Sequence, residues 1–304
     1  MRISTSTIYQ QGAARISDVQ TSLVKTQQQL STGRRILTPA DDPVAAARAL
    51  DVTQSQSVNA QYAINRQAAV SSLTSVDSTL ASVTSVLQDA KTLTVSAGNG
   101  VLSNSDRSNL ATQLSSSLDQ LLALANTTDG IGNYLFSGYQ SGTQPFTKTA
   151  IGAQYNGDQG QRQVQVDSSR QMAVSDSGQA IFQGNHQDIF KTLTDLVTLL
   201  QTPVVTAADA TNLTAGLSTA NGNIDQSLNN VLTVRASVGS RLKELDALDS
   251  AGSSRDIQYS QTLSQLQDVD YAKAISQLTQ QQTTLQAAQQ SFVKIAGLSL
   301  FNYL

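Results

Sequence analysis

The sequence predicts a mainly α-helical protein with a small β-rich insert. Near both ends, apolar residues recur at spacings of three and four, which is the pattern of one face of a helix packed on another helix. Between residues 131 and 187 that period disappears, and glycine and aromatic residues become frequent. The outer segments match in length and polarity. We therefore expect the chain to fold back on itself, with the N- and C-terminal helices paired in a coiled-coil-like rod and the β domain at its outer tip.

The N-terminal helix carries an apolar position every seven residues. The repeat consists of Ile16, Leu23, Leu30 and Leu37, with Val19, Thr26 and Gly33 three places after the first three. Pro39 then removes a backbone donor and disfavours the helical conformation at Thr38. Asp42 followed by Pro43 is typical of a helix N-cap and a first-turn proline, so a second helix is predicted to begin there.

The same apolar periodicity predicts the central helices. The second helix keeps its rhythm until the glycines at 98 and 100, through Tyr62, Ala69, Leu73, Val76, Leu80, Val83, Leu87 and Ala90. Further helices are expected at about 106–126 and 188–201. A long helix then has a heptad repeat at Leu217, Ile224, Val231, Val238 and Leu245, with a kink or break allowed at 251–254.

The last helix repeats the pattern of the first. Its apolar face consists of Tyr271, Leu278, Leu285 and Phe292, with Ala274, Gln281, Ala288 and Ile295 three places on. Within the insert, Asn156-Gly157 is a hairpin-turn signal, and Val164 and Val166 alternate with polar residues as in a half-exposed strand.

Composition limits the possible functions. Charged residues make up 13% of the chain, against about 25% in ordinary soluble domains, and Glu244 is the single glutamate. Uncharged polar side chains are buried at lower cost than ions, which favours a surface that meets other protein. The net charge of −3 and the absence of cysteine give no basic patch for nucleic acid and no thiolate chemistry. No apolar run has the length of a signal peptide or a membrane span, so neither is expected.

Several short motifs resemble those of the flagellin superfamily. They are Ser31-Thr32-Gly33-Arg34-Arg35-Ile36 followed by Pro39-Ala40-Asp41-Asp42-Pro43, the opening Met1-Arg2-Ile3-Ser4-Thr5, Asn133-Tyr134-Leu135-Phe136-Ser137-Gly138, Tyr155-Asn156-Gly157-Asp158, and Asp268-Val269-Asp270-Tyr271. Their order and content are similar to one branch of the superfamily, the proteins of the hook–filament junction.

The resemblance implies a structural role without cofactors. Such proteins form a ring between hook-associated protein 1 (FlgK) and the flagellin filament outside the cell. They leave the cytoplasm through the flagellar type III export apparatus, held beforehand by a FlgN-like chaperone. It also implies three regions: an inner assembly coiled coil (1–42 with 268–304), a helical rod domain (43–130 with 188–267) and an outer β domain (131–187).

The candidate functional residues are therefore assembly residues. On the N-terminal helix they are Ile16, Val19, Leu23, Leu30 and Leu37. The junction motif contributes Arg34, Asp41, Asp42 and Pro43. On the C-terminal helix, for assembly and chaperone binding, they are Tyr271, Leu278, Leu285, Phe292, Ile295, Leu298, Leu300 and Phe301. Because isolated helices are marginal in water, we expect both ends to be largely disordered in the free subunit and to fold on contact with neighbours.

Catalytic and metal-binding interpretations of individual residues are weaker than structural ones. Helix capping explains Asp41-Asp42 better than a carboxylate site does, and His186 lacks a nearby nucleophile motif. The segment 156–160 lacks the alternating acidic ligands of a calcium loop. The pair Arg34-Arg35 fits a contact across a subunit interface and a solvated pair equally well.

Three rival functions remain at the level of sequence. The nearest is flagellin itself, which shares the same ends but usually opens differently and lacks the second proline after Asp-Asp. A carbohydrate-binding or enzymatic module in 131–187 is another, although no glycosidase-like acid pair is evident. A membrane-active translocator is disfavoured because no apolar segment is long enough to span a bilayer.

Overall fold

The computed structural model describes residues 5–184 and 187–297. Seven helices and four strands lie in this part of the chain: α1 (Thr5–Thr32), α2 (Pro43–Ala97), α3 (Asn104–Ala125), β1 (Phe146–Thr149), β2 (Gly152–Tyr155), β3 (Gln163–Asp167), β4 (Arg170–Ala173), α4 (Gly178–Phe182), α5 (Ile189–Gln201), α6 (Ala207–Gln267) and α7 (Tyr271–Gly297). The predicted mainly α fold with a small β insert is confirmed. Two compact units are present, residues 1–59 with 254–304 and residues 60–253.

In the unit 60–253, the predicted heptads form the core. The α6 residues Ile224, Val231, Val238 and Leu245 are at most 1% exposed, and Leu73, Leu80 and Leu87 of α2 are completely buried. The two helices run antiparallel, because Asp77 accepts from Arg235 at 3.1 Å and Asp225 accepts from Lys91 at 2.6 Å. Helices α3 and α5 pack on each other in the same unit.

The allowed kink at 251–254 does not occur. Helix α6 continues through Gly252, which is buried against the side chain of Arg66. A β-carbon at Gly252 would collide with the Arg66 guanidinium, which is itself 2% exposed. Arg66 donates to Asp249 (3.1 Å) and to the carbonyl of Val166 in β3 (3.2 Å). The glycine therefore makes room for a buried arginine that ties the β insert to the helices.

The β insert contains two antiparallel two-stranded sheets, β1–β2 and β3–β4. The hairpin turn predicted at Asn156-Gly157 is wrong. The β1–β2 turn lies at residues 150–151, and Asn156 follows β2. A cluster of five aromatic rings fills the insert, with centroid separations of 4.9–5.7 Å: Phe136, Phe146, Tyr155, Phe182 and Phe190.

Two of the recognised motifs meet inside this insert. The Tyr155 hydroxyl donates to the carbonyls of Phe136 (3.0 Å) and Asp158 (2.6 Å). The Asp158 carboxylate accepts from the backbone N–H groups of Tyr139 (2.9 Å) and Gly160 (2.7 Å), and these hydrogen bonds lower the pKa of Asp158. The carboxylate thus holds loop backbone, which accounts for this segment without a calcium ion.

Candidate assembly interface

Helices α1 and α7 form an antiparallel pair in the terminal unit. Near one end, the rings of Tyr9 and Phe292 lie 4.6 Å apart, and a β-carbon at Gly12 would come within 3.0 Å of the Phe292 ring. Near the other end, a β-carbon at Gly33 would lie 3.0 Å from the Tyr271 hydroxyl. The pairing of the N- and C-terminal helices, expected from their matching stripes, is therefore confirmed.

The structure places most of the predicted α1 residues on one half-buried face. Ile16, Val19, Leu23 and Leu30 are all of intermediate exposure, and Thr26 between them is buried. Leu37 does not lie on this face, because α1 ends at Thr32 and Leu37 is in the loop that follows. The heptad spacing continued past the true end of the helix.

On α7, Leu278, Leu285 and Phe292 are also half-buried. Tyr271, at the first position of the helix, is 54% exposed. Four predicted residues receive no structural account, because the side chain of Ile295 and the residues Leu298, Leu300 and Phe301 lie outside the described part of the chain, as does His186.

The junction motif ties the two ends of the chain together through its backbone. Val269 N–H donates to the carbonyl of Gly33 (2.9 Å), and Arg35 N–H donates to the carbonyl of Gln267 (2.6 Å). Arg34 and Asp268 form the antiparallel bridge between these bonds. We call residues 33–35 with 266–269 the junction clasp. It holds the connection from α1 toward α2 against the connection from α6 to α7.

The two arginines of the motif act differently. The Arg35 guanidinium donates to the carbonyl of Leu266 (2.8 Å) and to the Asp42 carboxylate (3.2 Å), so it belongs to the clasp. Arg34 contributes its backbone to the bridge, and the residue is exposed. The hydrogen-bond and ion-pair partners of Arg35 therefore lie within its own unit of the chain.

The adjacent residues Asp41 and Asp42 accept hydrogen bonds from different parts of the chain. Asp41 accepts from the Lys25 ammonium (2.6 Å) and from the N–H groups of Leu37 and Thr38 (both 2.9 Å), and the Lys25 hydrogen bond is the main reason that its pKa is well below the usual range. Asp42 accepts from Ala45 N–H (3.0 Å) at the start of α2, which lowers its pKa together with Arg35. The predicted capping by Asp42 is confirmed, and Pro43 is the first residue of α2. Neither carboxylate is free for catalysis.

Sequence reasoning missed the roles of Lys25 and Gly33 in this region. Lys25 reaches Asp41 across the loop, and no local spacing signals that contact. Gly33 has the spacing of the α1 stripe, but it ends the helix with φ at +70°. A glycine directly after an apolar periodic run is a helix-stop signal, and it could have located this end.

Replacing Gly33 with alanine is expected to loosen the clasp. The left-handed backbone costs an L-residue about 1 kcal/mol, and the new β-carbon would also press on Tyr271. We expect amide exchange at Arg35 and Val269 to accelerate about fivefold or more. Gly100→Ala is the matched control, because Gly100 is exposed and nothing lies within 4 Å of a β-carbon there. Unchanged exchange at both amides in Gly33→Ala would contradict this role of the clasp.

The pair also exposes apolar side chains on the faces turned away from its own seam. Val24 is 49% exposed on α1, and Ile275 and Val293 are 54% and 69% exposed on α7. Val24 borders a groove of about 440 Å³ that runs between α1 and the loop containing Leu37 and Asp41. These surfaces remain available to other chains.

Within residues 5–184 and 187–297, no three aspartate or glutamate side chains cluster in a way that could hold a metal ion. None of the helices between residues 5 and 297 is long and apolar enough to cross a bilayer. The architecture is that of a helical protein whose terminal helices pair and present further apolar surface.

Comparison with known proteins identifies this class. Residues 3–141 match the bacterial flagellin N-terminal helical region, and residues 222–304 match the bacterial flagellin C-terminal helical region. The paired terminal helices are thus those of a flagellin-like structural protein.

Curated relatives narrow the class. The chain is 40% identical to flagellar hook-associated protein 3 of Escherichia coli K12 and 39% identical to that of Salmonella typhimurium LT2, with 99% of each chain covered in both comparisons. The chain therefore belongs to the flagellar hook-associated protein 3 family of the flagellin superfamily. It is a structural component of the bacterial flagellum and not an enzyme.

A solved structure shares the fold. The flagellar junction protein FlgL from Legionella pneumophila matches with a TM-score of 0.64 at 22% identity, covering 73% of this chain and all of that one.

Proposed function

We propose that this chain forms the ring that joins hook-associated protein 1 to the flagellin filament. The observation that carries the proposal is the α1/α7 pair, whose seam is half-buried and whose outer faces expose Val24, Ile275 and Val293. Apolar surface of this kind is covered when subunits pack side by side around an axis. The full-length similarity to hook-associated protein 3 supports placing that packing at the junction.

We assign three regions to this function. Residues 1–42 with 268–304 form the inner assembly layer, 43–130 with 188–267 form a helical rod, and 131–187 form an outer β domain. The similarity of both terminal regions to those of flagellin supports an inner layer that continues the packing of the filament.

Export is proposed to precede ordering of the ends. The chain would pass unfolded through the flagellar type III apparatus, with a FlgN-like chaperone holding the C-terminal amphipathic segment in the cytoplasm. The stripe Leu278, Leu285 and Phe292 supports this, because an unpaired helix would expose all three to water. After export the ends fold against neighbouring subunits.

Deletion of the gene in the bacterium that makes the protein tests the junction role. We expect complete hooks, flagellin shed into the medium and no swimming, because flagellin is still exported but has no surface on which to polymerise. The medium and the purified hooks are analysed by immunoblot and electron microscopy, with a complemented strain as control. A strain that exports no flagellin after the deletion, or that still builds filaments, would contradict the proposal.

Mixing purified components tests the partners directly. The purified chain is combined with hook-associated protein 1 and flagellin, singly and together, and ordered mixed assemblies are scored by electron microscopy. We expect the chain to bind both. Binding to flagellin alone would instead indicate a second filament protein.

A further inference from the structure

The seam between α1 and α7 is much looser than the helical core of residues 60–253. Among the described side chains of α1 and α7, only Thr26 and Ala274 are buried, at 5% and 4% exposure. The leucines of this seam, such as Leu23 and Leu285, are half-buried, whereas Leu80 of α2 is completely buried. The large apolar residues of the pair therefore gain only part of their full burial energy.

Polar contacts do not compensate for this. Among the described side chains of α1 and α7, no hydrogen bond or ion pair joins the two helices. The buried Thr26 hydroxyl donates to the carbonyl of Ser22, one turn earlier in its own helix, at 3.0 Å. Along its length the pair is therefore held by partial apolar burial, and the hydrogen bonds that join the two segments belong to the junction clasp at one end.

One polar atom weakens the seam further. The side-chain oxygen Oε1 of Gln281 is buried and accepts no hydrogen bond. Gln281 lies between Leu278 and Leu285, in the stripe that faces α1. In an antiparallel pair, the numbers of two facing residues add to a nearly constant total, which is 301 for Tyr9 and Phe292 and 304 for Gly33 and Tyr271. The residues that face Gln281 are therefore 20–23, in the interior of the seam. An amide oxygen that loses water there without gaining a donor destabilises the paired state.

We infer that Gln281 is a destabilising position built into the α1/α7 seam, which lets the two helices separate in the free subunit. The inference rests on the proposed function and adds a residue to it. A weak intramolecular pair leaves α7 accessible before assembly. Subunits that cover Val24, Ile275 and Val293 then supply the burial that the pair lacks on its own. A fully apolar seam would hold α1 and α7 together before the subunit meets its neighbours.

The test replaces the amide with an apolar group of the same shape. Methionine is unbranched like glutamine and removes the unsatisfied oxygen with little change in volume. In the full-length Gln281→Met variant, we expect amide exchange in α1 and α7 to slow about tenfold, with no change at Leu73–Ala90 of α2. Gln281→Leu is the second variant, in case methionine packs poorly.

Gln282→Met is the matched control, because Gln282 is the next residue on the same helix and is exposed. Its amide exchange should stay within about twofold of the original protein. If neither Gln281 variant slows exchange relative to Gln282→Met, the inference is wrong.

Filament assembly supplies the second readout. Cells carrying Gln281→Met are expected to attach fewer filaments and to shed several times more flagellin, because a prematurely closed pair hinders export and assembly. Slower exchange combined with normal filaments would overturn the link between the weak seam and assembly. That failure is distinct from failure of the junction role, which the gene deletion alone decides.

Discussion

Cells in which Leu285 is replaced by aspartate are expected to lose their filaments and to release flagellin into the medium. Leu285 lies in the middle of the α7 stripe and is half-buried in the pair with α1. The substitution removes part of the roughly 1.5–3 kcal/mol that full burial of a leucine contributes, and it places a carboxylate in a largely apolar seam. Swimming in soft agar should fall to the level of the gene deletion.

Gln286→Asp is the control for this experiment. Gln286 is adjacent to Leu285 on α7 and is exposed, so its substitution introduces the same charge outside the seam. We expect this control to keep at least half of the original swimming rate. If cells with Leu285→Asp swim as well as cells with Gln286→Asp, the α1/α7 seam is not the assembly element.

The second large effect is expected in the β insert. Phe146 is completely buried, and its ring centroid lies 4.9–5.5 Å from those of Tyr155, Phe182 and Phe190. Truncation to alanine leaves a cavity at the centre of this cluster and should lower the free energy of unfolding by about 3–5 kcal/mol. Because Phe190 belongs to α5, the loss should extend from the sheets to that helix.

Urea unfolding of the full-length chain, followed by circular dichroism and tyrosine fluorescence, measures this loss. Ile151→Ala provides the control, since Ile151 is 72% exposed in the β1–β2 turn and its truncation should change stability by less than about 0.5 kcal/mol. A loss below about 1 kcal/mol for Phe146→Ala would show that the aromatic cluster does not hold the insert together.

The helical core could be predicted from sequence because its repeat is simple. Ile224, Val231 and Val238 are seven residues apart and all lie in the core. Glycine at 98 correctly marked the end of α2 at Ala97. Such patterns depend only on the period of the helix, so they need no knowledge of the partner.

The errors arose where a distant residue decides the local structure. Gly252 lies within a continuous helix because Arg66, far away in sequence, occupies the space of its missing side chain. Asn156-Gly157 has the composition of a hairpin turn, yet Gly157 packs against the Tyr155 ring and Asp158 holds the loop of Tyr139. Contacts of this kind have no signature in local spacing.

The position of the candidate interface could be predicted from the sequence, but the tightness of its packing could not. The stripes of α1 and α7 indicated which faces meet. The sequence could not reveal that Leu23 and Leu285 would remain half-buried or that Gln281 would lack a donor. Leu37 has the spacing of the stripe, but the helix stop at Gly33 comes before it.

We expect the terminal helices to become ordered when the subunit assembles. Hydrogen exchange measured on the free full-length chain and on assembled junctions tests this ordering. We predict that, in the free chain, amides of α1 and α7 exchange at least about a hundredfold faster than those of Leu73–Ala90 in α2, and that assembly brings both regions to similar protection. Equal protection of the terminal helices and the α2 core in the free chain would show that the terminal helices are ordered before assembly.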